Sequence, residues 1–139
     1  MNPYIHRVHY YETDRMGVTH HSNYIRMMEE ARVAFMEQLG WPYARIEAMG
    51  VLSPVTALNM KFLAPTTFDD RVEVRLSVKS FNGVTLVMRY EMVKQGDEPV
   101  TVLRGESEHV FLNREGRFVR LKREMPEFAR LLSELAEEA

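Results

Sequence analysis

Cysteine is absent from the 139 residues of this chain. Its absence excludes disulfides, thiolate nucleophiles and cysteine-ligated metal centres. The beginning of the chain, Met1 to Arg7, also lacks a basic region followed by an apolar run, so no secretory signal is predicted. Because a cysteine-free chain without a signal suits a reducing compartment, we expect a cytoplasmic protein.

Long apolar runs and an excess of one charge are missing as well. No stretch is long and apolar enough to span a bilayer, so no integral membrane segment is expected. The formal net charge is -2, and acidic and basic residues are dispersed along the chain. Such a composition does not by itself gather nucleic acid or anionic membrane, so no nucleic-acid partner is expected. An anionic ligand would need a local site.

Apolar residues, by contrast, are plentiful. They make up 45% of the sequence, which is enough for one compact core in a chain of this length. No internal repeat or low-complexity segment interrupts the pattern. We therefore expect a single domain over residues 1–139.

One long helix is predicted from Ser22 to Leu39, because apolar residues recur there every three or four positions. Ser22 or Asn23 can cap its start, and Gly40 followed by Pro42 ends it. Further apolar residues widen the stripe, so we expect the helix to be covered on most sides. The recurring positions are Tyr24, Met27, Met28, Ala31, Ala34, Phe35 and Leu39, and the further ones are Ile25, Val33 and Met36.

Most of the remaining chain has the patterns of β-strands. In residues 71–79 apolar and polar side chains alternate, which predicts one buried and one solvated face. Asn82 and Gly83 form a strong two-residue hairpin signal, since both tolerate positive φ. Strands are predicted over residues 4–11, 55–62, 71–79, 84–93 and 100–112, with a terminal helix beginning at Pro126.

This order of elements indicates an α+β protein in which an antiparallel sheet wraps around the long helix. A single sheet of this kind leaves its edges and part of one face uncovered. We therefore expect a homodimer or homotetramer, since pairing through an edge or a face would complete the structure.

The residues before the long helix have the composition of a catalytic segment. Asp14, Gly17 and His21 lie within residues 11–24, immediately before the helix begins. First-turn amides have no intrahelical partners and suit an oxyanion that develops on an attacked carbonyl. A nearby carboxylate can act as a general base on water or attack directly. Gly17 would let the backbone approach a substrate closely.

With these residues the sequence resembles the hotdog-fold thioesterases of the 4-hydroxybenzoyl-CoA thioesterase type. It is most similar to the bacterial short acyl-CoA thioesterases linked to the Tol-Pal system. The resemblance covers nearly the whole chain in element order and length. The matching residues are Tyr11, Thr13, Asp14, Gly17, Val18, His21, Tyr24, Glu29, Ala31, Arg32, Pro65, Asp69 and Asp70.

The resemblance implies that Asp14 acts as nucleophile or general base on an acyl-CoA or acyl carrier protein thioester. It also implies that a backbone amide at the helix start, by position that of His21, holds the carbonyl. The His21 side chain would lie beside the thioester, and Tyr24 would contact the substrate. The chain departs from the family at Met27-Met28, where an aromatic residue usually precedes the helix glutamate.

Several further residues have a functional and a plain structural interpretation. Asn59 and Lys61 share one face of a predicted strand and could line the pantetheine path. Glu29 and Arg32, three apart on the helix, are expected to form an ion pair. The basic residues Arg117, Arg120, Lys122 and Arg123 are either a solvated face or a site for CoA phosphates.

Metal and cofactor chemistry is not expected. His6, His9 and His109 fall in predicted strands without convergent acidic partners, and no HExxH-type spacing exists among the five histidines. No serine lies in a Gly-x-Ser-x-Gly elbow, which argues against a serine hydrolase.

Two rivals to thioester hydrolysis remain open. A hotdog enoyl hydratase or dehydratase typically carries Asp-x-Asn-x-x-His, whereas here Arg15 and Met16 follow Asp14. A binding module for acyl-CoA or acyl carrier protein would use the same pocket without turnover, and the intact Asp14 argues against it.

Overall fold

A computed structural model of the protein describes residues 2–138. Within them, five strands and four α-helices, with one 3-10 turn, make up an α+β protein, as predicted. The strands are β1 (Tyr4–Arg7), β2 (Val55–Phe62), β3 (Arg71–Phe81), β4 (Thr85–Lys94) and β5 (Val100–Val110). The helices are α1 (Ser22–Gln38), α2 (Tyr43–Ala48), α3 (Leu121–Glu124) and α4 (Pro126–Glu138), and the 3-10 turn is Tyr10–Glu12.

The five strands form one antiparallel sheet in the order β1-β3-β4-β5-β2. β1 pairs with β3 so that Tyr4 lies opposite Val74. The predicted hairpin joins β3 to β4, and its turn is closed by the Asn82 side chain, whose oxygen accepts the amides of Val84 and Thr85 at 2.9 and 2.7 Å. Edge strands β1 and β2 thus terminate the sheet.

The residues are grouped into two compact units. The first comprises the residues up to Phe35 with Met60–Leu76 and Tyr90–Gly105. The second comprises Met36–Asn59, Ser77–Arg89 and the residues from Glu106 onward. The expectation of a single domain over residues 1–139 stays a prediction.

In the first unit, α1 presents a narrower apolar face than predicted. Met27 and Met28 are fully buried, but Ile25 and Val33 are 37% and 36% exposed. The expectation that α1 is covered on most sides is therefore wrong for the isolated chain. The Glu29–Arg32 ion pair is also absent, because Arg32 points inward and donates to the hydroxyl of Tyr90 at 3.1 Å.

In the second unit, aromatic rings form the core. Phe128 of α4 lies with its ring centroid 5.1 Å from that of Trp41 and 6.2 Å from that of Phe111. Phe111 in turn meets Phe81 edge to face at 6.4 Å. Trp41 is covered on one side by the guanidinium of Arg45, 3.6 Å from the ring. The short helix α2, which supplies Arg45, escapes sequence prediction because six residues carry little periodicity.

The predicted strand over residues 4–11 ends early, at Arg7. The amide of Val8 still donates to the carbonyl of Asp70 at 2.8 Å, but the chain then tightens into the 3-10 turn. The strand predicted over 100–112 ends at Val110. Among residues 2–138, no helix combines the length and the apolarity needed to cross a membrane.

The predicted end of α1 at Gly40 is confirmed. Gly40 has φ of +82°, its amide donates to Glu37 at 3.0 Å, and the amide of Trp41 donates to Met36 at 3.0 Å. These two bonds form a Schellman cap that satisfies the last carbonyls of the helix.

Replacing Gly40 with alanine tests this cap. An added Cβ meets no atom within 4 Å, so only the left-handed backbone conformation opposes it. We expect Gly40→Ala to lower the free energy of unfolding by about 1–2 kcal/mol in urea denaturation. Gly40→Asn is the control and should lose less, because asparagine tolerates positive φ. Equal losses in both variants would contradict the assignment.

Candidate active site

Asp14 opens a tight turn that fixes its carboxylate. The amide of Asp14 donates to the carbonyl of Val18 at 2.9 Å, and the amide of Gly17 donates back to the carbonyl of Asp14 at 2.9 Å. Oδ1 of Asp14 accepts the amide of Met16 at 2.8 Å, which makes an Asx turn. The second carboxylate oxygen has no partner within residues 2–138. The half-buried side chain is therefore oriented and keeps one oxygen for chemistry.

Gly17 is required by the backbone of this turn. Its φ is +79°, and a Cβ added there would meet nothing within 4 Å. Thr67 Oγ1 donates to the carbonyl of Gly17 at 2.7 Å and anchors the turn. Gly17 does not belong to the lining of the cavity described below, so the close approach of a substrate to its backbone stays a prediction.

The start of α1 is capped by His20, and not by Ser22 or Asn23 as predicted. The amide of Ser22 donates to Nδ1 of His20 at 3.3 Å, and the amide of Asn23 donates to the carbonyl of His20 at 3.0 Å. The amide of Tyr24 donates to the carbonyl of His21 at 3.2 Å. The expected set of open first-turn amides is thus largely occupied.

The amide of His21 is the exception. No acceptor for it is found in the part of the chain that the structure describes. It lies just before the first residue of α1, where the helix dipole gives amide hydrogens a partial positive charge. This is the amide that the family resemblance assigns to the carbonyl.

Asp14 and His21 line the same open cavity of about 380 Å³. Tyr24, a third predicted site residue, also lines it. Apolar side chains form much of the remaining wall. The other lining residues are Met16, Thr19, Phe62, Leu63, Ala64 and Pro65. An acidic residue, a residue whose amide has no acceptor in the described part of the chain, and an apolar wall therefore share one cavity, an arrangement suited to binding and attacking an apolar acyl group.

Tyr24 shapes the cavity with its ring while its hydroxyl points into the protein. Its Oη shares a hydrogen bond of 2.9 Å with Oγ1 of Thr66, which shares another of 2.6 Å with Oγ1 of Thr19. All three residues are buried. The Phe62 ring lies 5.7 Å from that of Tyr24 and 6.4 Å from that of His21. The hydroxyl chain thus supports the wall next to His21.

The other predicted positions lie outside this cavity. Asn59 and Lys61 are exposed residues of β2, two positions apart on one face, and neither lines the cavity. Met27 and Met28, where the chain departs from its family, are fully buried core residues and do not line it either. A role for Asn59 and Lys61 along a pantetheine path stays a prediction.

Glu12 is a buried residue just before the Asp14 turn whose contacts sequence reasoning missed. The expectation that the histidines lack an acidic partner is wrong for His6, because its ring is bonded to the carboxylate of Glu12, which is only 4% exposed. Its Oε1 accepts Nε2 of His6 at 2.8 Å and the amide of His9 at 2.7 Å. The available signal was the spacing from His9 to Glu12, which allows a side chain to reach back to the amide that starts a turn.

These three residues are also of the types that ligate divalent metals. Their candidate ligand atoms lie within 4.8 Å of one another. However, Oε1 of Glu12 and Nε2 of His6 already satisfy each other. Across residues 2–138, no buried side-chain nitrogen or oxygen lacks a hydrogen-bond partner. The bond between Glu12 and His6 gives this cluster a structural role, and the expectation that the chain uses no metal stays a prediction.

Comparison with known proteins identifies the family. A profile of the thioesterase-like superfamily matches residues 8–136. The chain belongs to this superfamily. The resemblance to hotdog thioesterases and the hotdog fold, both predicted from the sequence, are thereby confirmed.

Individual members of the thioesterase-like superfamily align over most of the chain. The chain is 32% identical over 78% of its length to YneP of Bacillus subtilis, whose name gives it provisionally as an acyl-CoA thioesterase, and covers 77% of that protein. The crystal structure of the hypothetical protein TT1821 of Thermus thermophilus matches with a TM-score of 0.86 and 37% identity, covering 97% of this chain and 99% of that one. A DHNA-CoA thioesterase of Staphylococcus aureus matches with a TM-score of 0.87 and 29% identity, covering 93% and 86%.

The buried hydroxyl chain beside His21 leads to a stability prediction. Thr66→Val removes the hydroxyl that joins Tyr24 to Thr19, so the Tyr24 hydroxyl loses its bond and Thr19 keeps only its longer bond of 3.3 Å to the carbonyl of residue 66. We expect it to lower the free energy of unfolding by about 1–3 kcal/mol in urea denaturation. Thr101→Val in β5 is the matched control, since no side-chain hydrogen bond of Thr101 is found within residues 2–138. This control should change the free energy of unfolding by less than about 0.5 kcal/mol. Similar losses in both variants would refute the role of the chain.

Proposed function

We propose that this thioesterase-like protein hydrolyses acyl-CoA thioesters to the free acid and CoA. The observation that carries the proposal is that one apolar-walled cavity is lined by Asp14 and by His21, whose backbone amide has no acceptor within residues 2–138. The names of its relatives support the same reaction class.

The geometry is compatible with two routes. In the first, Asp14 takes a proton from water, the hydroxide attacks the thioester carbonyl, and the proton returns to the departing thiolate. In the second, a carboxylate oxygen of Asp14 attacks the carbonyl, thiolate leaves, and water hydrolyses the resulting anhydride. In both, the carbonyl oxygen becomes negative beside the amide of His21, which stabilises it more than the ground state.

The exposed His21 ring would lie beside the same thioester and could orient the attacking water. Its ring centroid lies 4.2 Å from that of His20, whose Nδ1 is already engaged at the helix start. We extend the proposal to acyl carrier protein as an alternative thiol carrier, with Asn59 and Lys61 along the pantetheine path. We propose the cytoplasm as the place of action, as the cysteine-free composition leads us to expect.

Replacing Asp14 tests the proposal. Asp14→Asn keeps the size of the side chain but removes its basicity, so kcat for acyl-CoA hydrolysis should fall by about 10²–10⁴-fold. The measurement is thiol release across short, medium and aromatic acyl-CoA and acyl carrier protein substrates. Asp97→Asn, in the exposed turn between β4 and β5, is the control and should keep wild-type rates. Wild-type protein that releases thiol from no substrate would refute the function, and a fully active Asp14→Asn variant would refute the role of Asp14.

Two further measurements on the same substrates, enoyl absorbance and acyl-CoA binding, separate the two rival functions. Loss of enoyl absorbance without thiol release would identify a hydratase. Saturable acyl-CoA binding with no product, even at high protein concentration, would identify a binding module.

An oligomer is also part of the proposal. β2 lies at one end of the sheet, and most of its residues are exposed. Several of them are apolar, with Val55 42%, Leu58 38% and Phe62 50% exposed. An exposed apolar edge strand is a ready template for pairing, so we propose that a second copy of the chain covers β2.

The oligomer can be tested by charging this edge. Leu58→Lys should shift the light-scattering mass from dimer or tetramer toward monomer, because a cation would have to be buried in the interface. Val100→Lys is the matched control, since Val100 is also 38% exposed but belongs to β5. A wild-type monomer at micromolar concentration, or equal effects of both variants, would contradict pairing through β2.

A further inference from the structure

The Glu12 side chain ties β1 to the turn that leads to Asp14. It is 4% exposed, and its carboxylate makes two short hydrogen bonds, 2.8 Å to Nε2 of His6 and 2.7 Å to the amide of His9. His6 belongs to β1, whereas His9 starts the 3-10 turn Tyr10–Glu12. The amide of Glu12 also donates to the carbonyl of His9 at 3.0 Å. One carboxylate therefore holds a strand and the following turn together, two residues before Asp14.

His6 is held in turn by Tyr4. A carboxylate oxygen accepts, so Nε2 of His6 donates to Glu12 at 2.8 Å, while Nδ1 shares a hydrogen bond of 2.8 Å with the hydroxyl of Tyr4. Burial raises the pKa of Tyr4, and the negative charges of Glu30 and Glu12 raise it further, which keeps the phenol protonated as a donor. The side chains of Tyr4, His6 and Glu12 thus form one continuous hydrogen-bonded chain.

The main chain of Glu12 is fixed from the opposite side. Its carbonyl accepts the amide of His20 at 2.8 Å and Nδ2 of Asn23 at 3.0 Å. Asn23 is itself buried, 8% exposed. The start of α1 therefore holds the backbone of Glu12, while β1 holds its side chain.

We propose that Glu12 is a positioning residue for Asp14, and that His6 acts through it. The inference rests on the proposed function, because it concerns the placement of the carboxylate that attacks the thioester or activates water. Glu12 does not line the cavity and is not assigned contact with the substrate. Its side chain fixes the chain immediately before the Asp14 turn, whose own hydrogen bonds are internal except for the bond from Thr67 to the carbonyl of Gly17.

The reaction is sensitive to this placement. A misplacement of the reacting group by about 1 Å can cost about 10²-fold in rate. Removing the Glu12 carboxylate releases the hydrogen-bond tie to His6 and His9, while the bonds of its carbonyl to α1 remain available. The expected defect is therefore in turnover and not in substrate binding.

The test compares Glu12→Ala with Glu12→Gln. Glu12→Ala should lower kcat for acyl-CoA hydrolysis by about 10²-fold with KM changed less than about 3-fold. Glu12→Gln keeps an oxygen that can accept both hydrogen bonds, so its kcat should stay within about 3-fold of wild type. Glu37→Ala, an exposed carboxylate of α1, is the control and should leave both constants unchanged.

A double-mutant cycle with Asp14→Asn separates positioning from general stability. If Glu12 acts through Asp14, Glu12→Ala should change the residual kcat of Asp14→Asn protein by less than about 3-fold. A general loosening of the fold would lower kcat by the same factor in both backgrounds.

A second pair of variants covers the case in which Glu12→Ala does not fold. His6→Gln keeps a donor that can reach Glu12, whereas His6→Leu does not. We expect His6→Leu to lower kcat by about 10-fold and His6→Gln to restore most of it, with both proteins folded by circular dichroism.

Three results would overturn the inference: wild-type kcat in Glu12→Ala, equal factors in the two backgrounds of the cycle, or equal rates for the two His6 variants. Absence of turnover in the wild-type protein would instead refute the proposed function, so the two failures are distinguishable.

Discussion

The hydrogen bond from the amide of His20 to the carbonyl of Glu12 joins the two halves of the site. The bond is 2.8 Å long. Glu12 lies two positions before Asp14, and His20 lies directly before His21. Asn23 reinforces the joint from the first turn of α1. Because Asp14 and His21 each lie within two residues of this bond, both residues line one cavity. The internal hydrogen bonds of the Asp14 turn, and the bond from Thr67 to the carbonyl of Gly17, then restrict the conformation of residues 14–18.

The capping of α1 leaves one backbone hydrogen-bond donor available at the site. His20 satisfies the amides of Ser22 and Asn23, and the carbonyl of His21 satisfies that of Tyr24. A helix start with several open amides would bind anions in many orientations. Among residues 21–24 at the start of α1, as far as the described residues show, the amide of His21 alone is left without an acceptor. A bound carbonyl would therefore have a defined direction relative to Asp14.

Much of the fold and the centre of the site were predictable because their signals are local. Residues 22–39 have helical apolar spacing, residues 71–79 alternate, and Asn82-Gly83 is a turn in sequence as in structure. Asp14 and His21 were reached through their place before a helix start and a family resemblance. The role of Glu12 was not predicted, because it depends on a side-chain hydrogen bond to His6 in the preceding strand β1. The exposure of Ile25 was likewise unpredictable, since apolar spacing does not say what covers a helix face.

The central claim is that Asp14 and the amide of His21 address the same thioester carbonyl. The most direct measurement is a crystal structure of the Asp14→Asn variant with a bound acyl-CoA. The account predicts the carbonyl oxygen about 2.7–3.1 Å from the backbone nitrogen of His21, with the side chain at position 14 about 3–3.5 Å from the carbonyl carbon. A carbonyl held by other donors, or a side chain at position 14 turned away from the thioester, would contradict it.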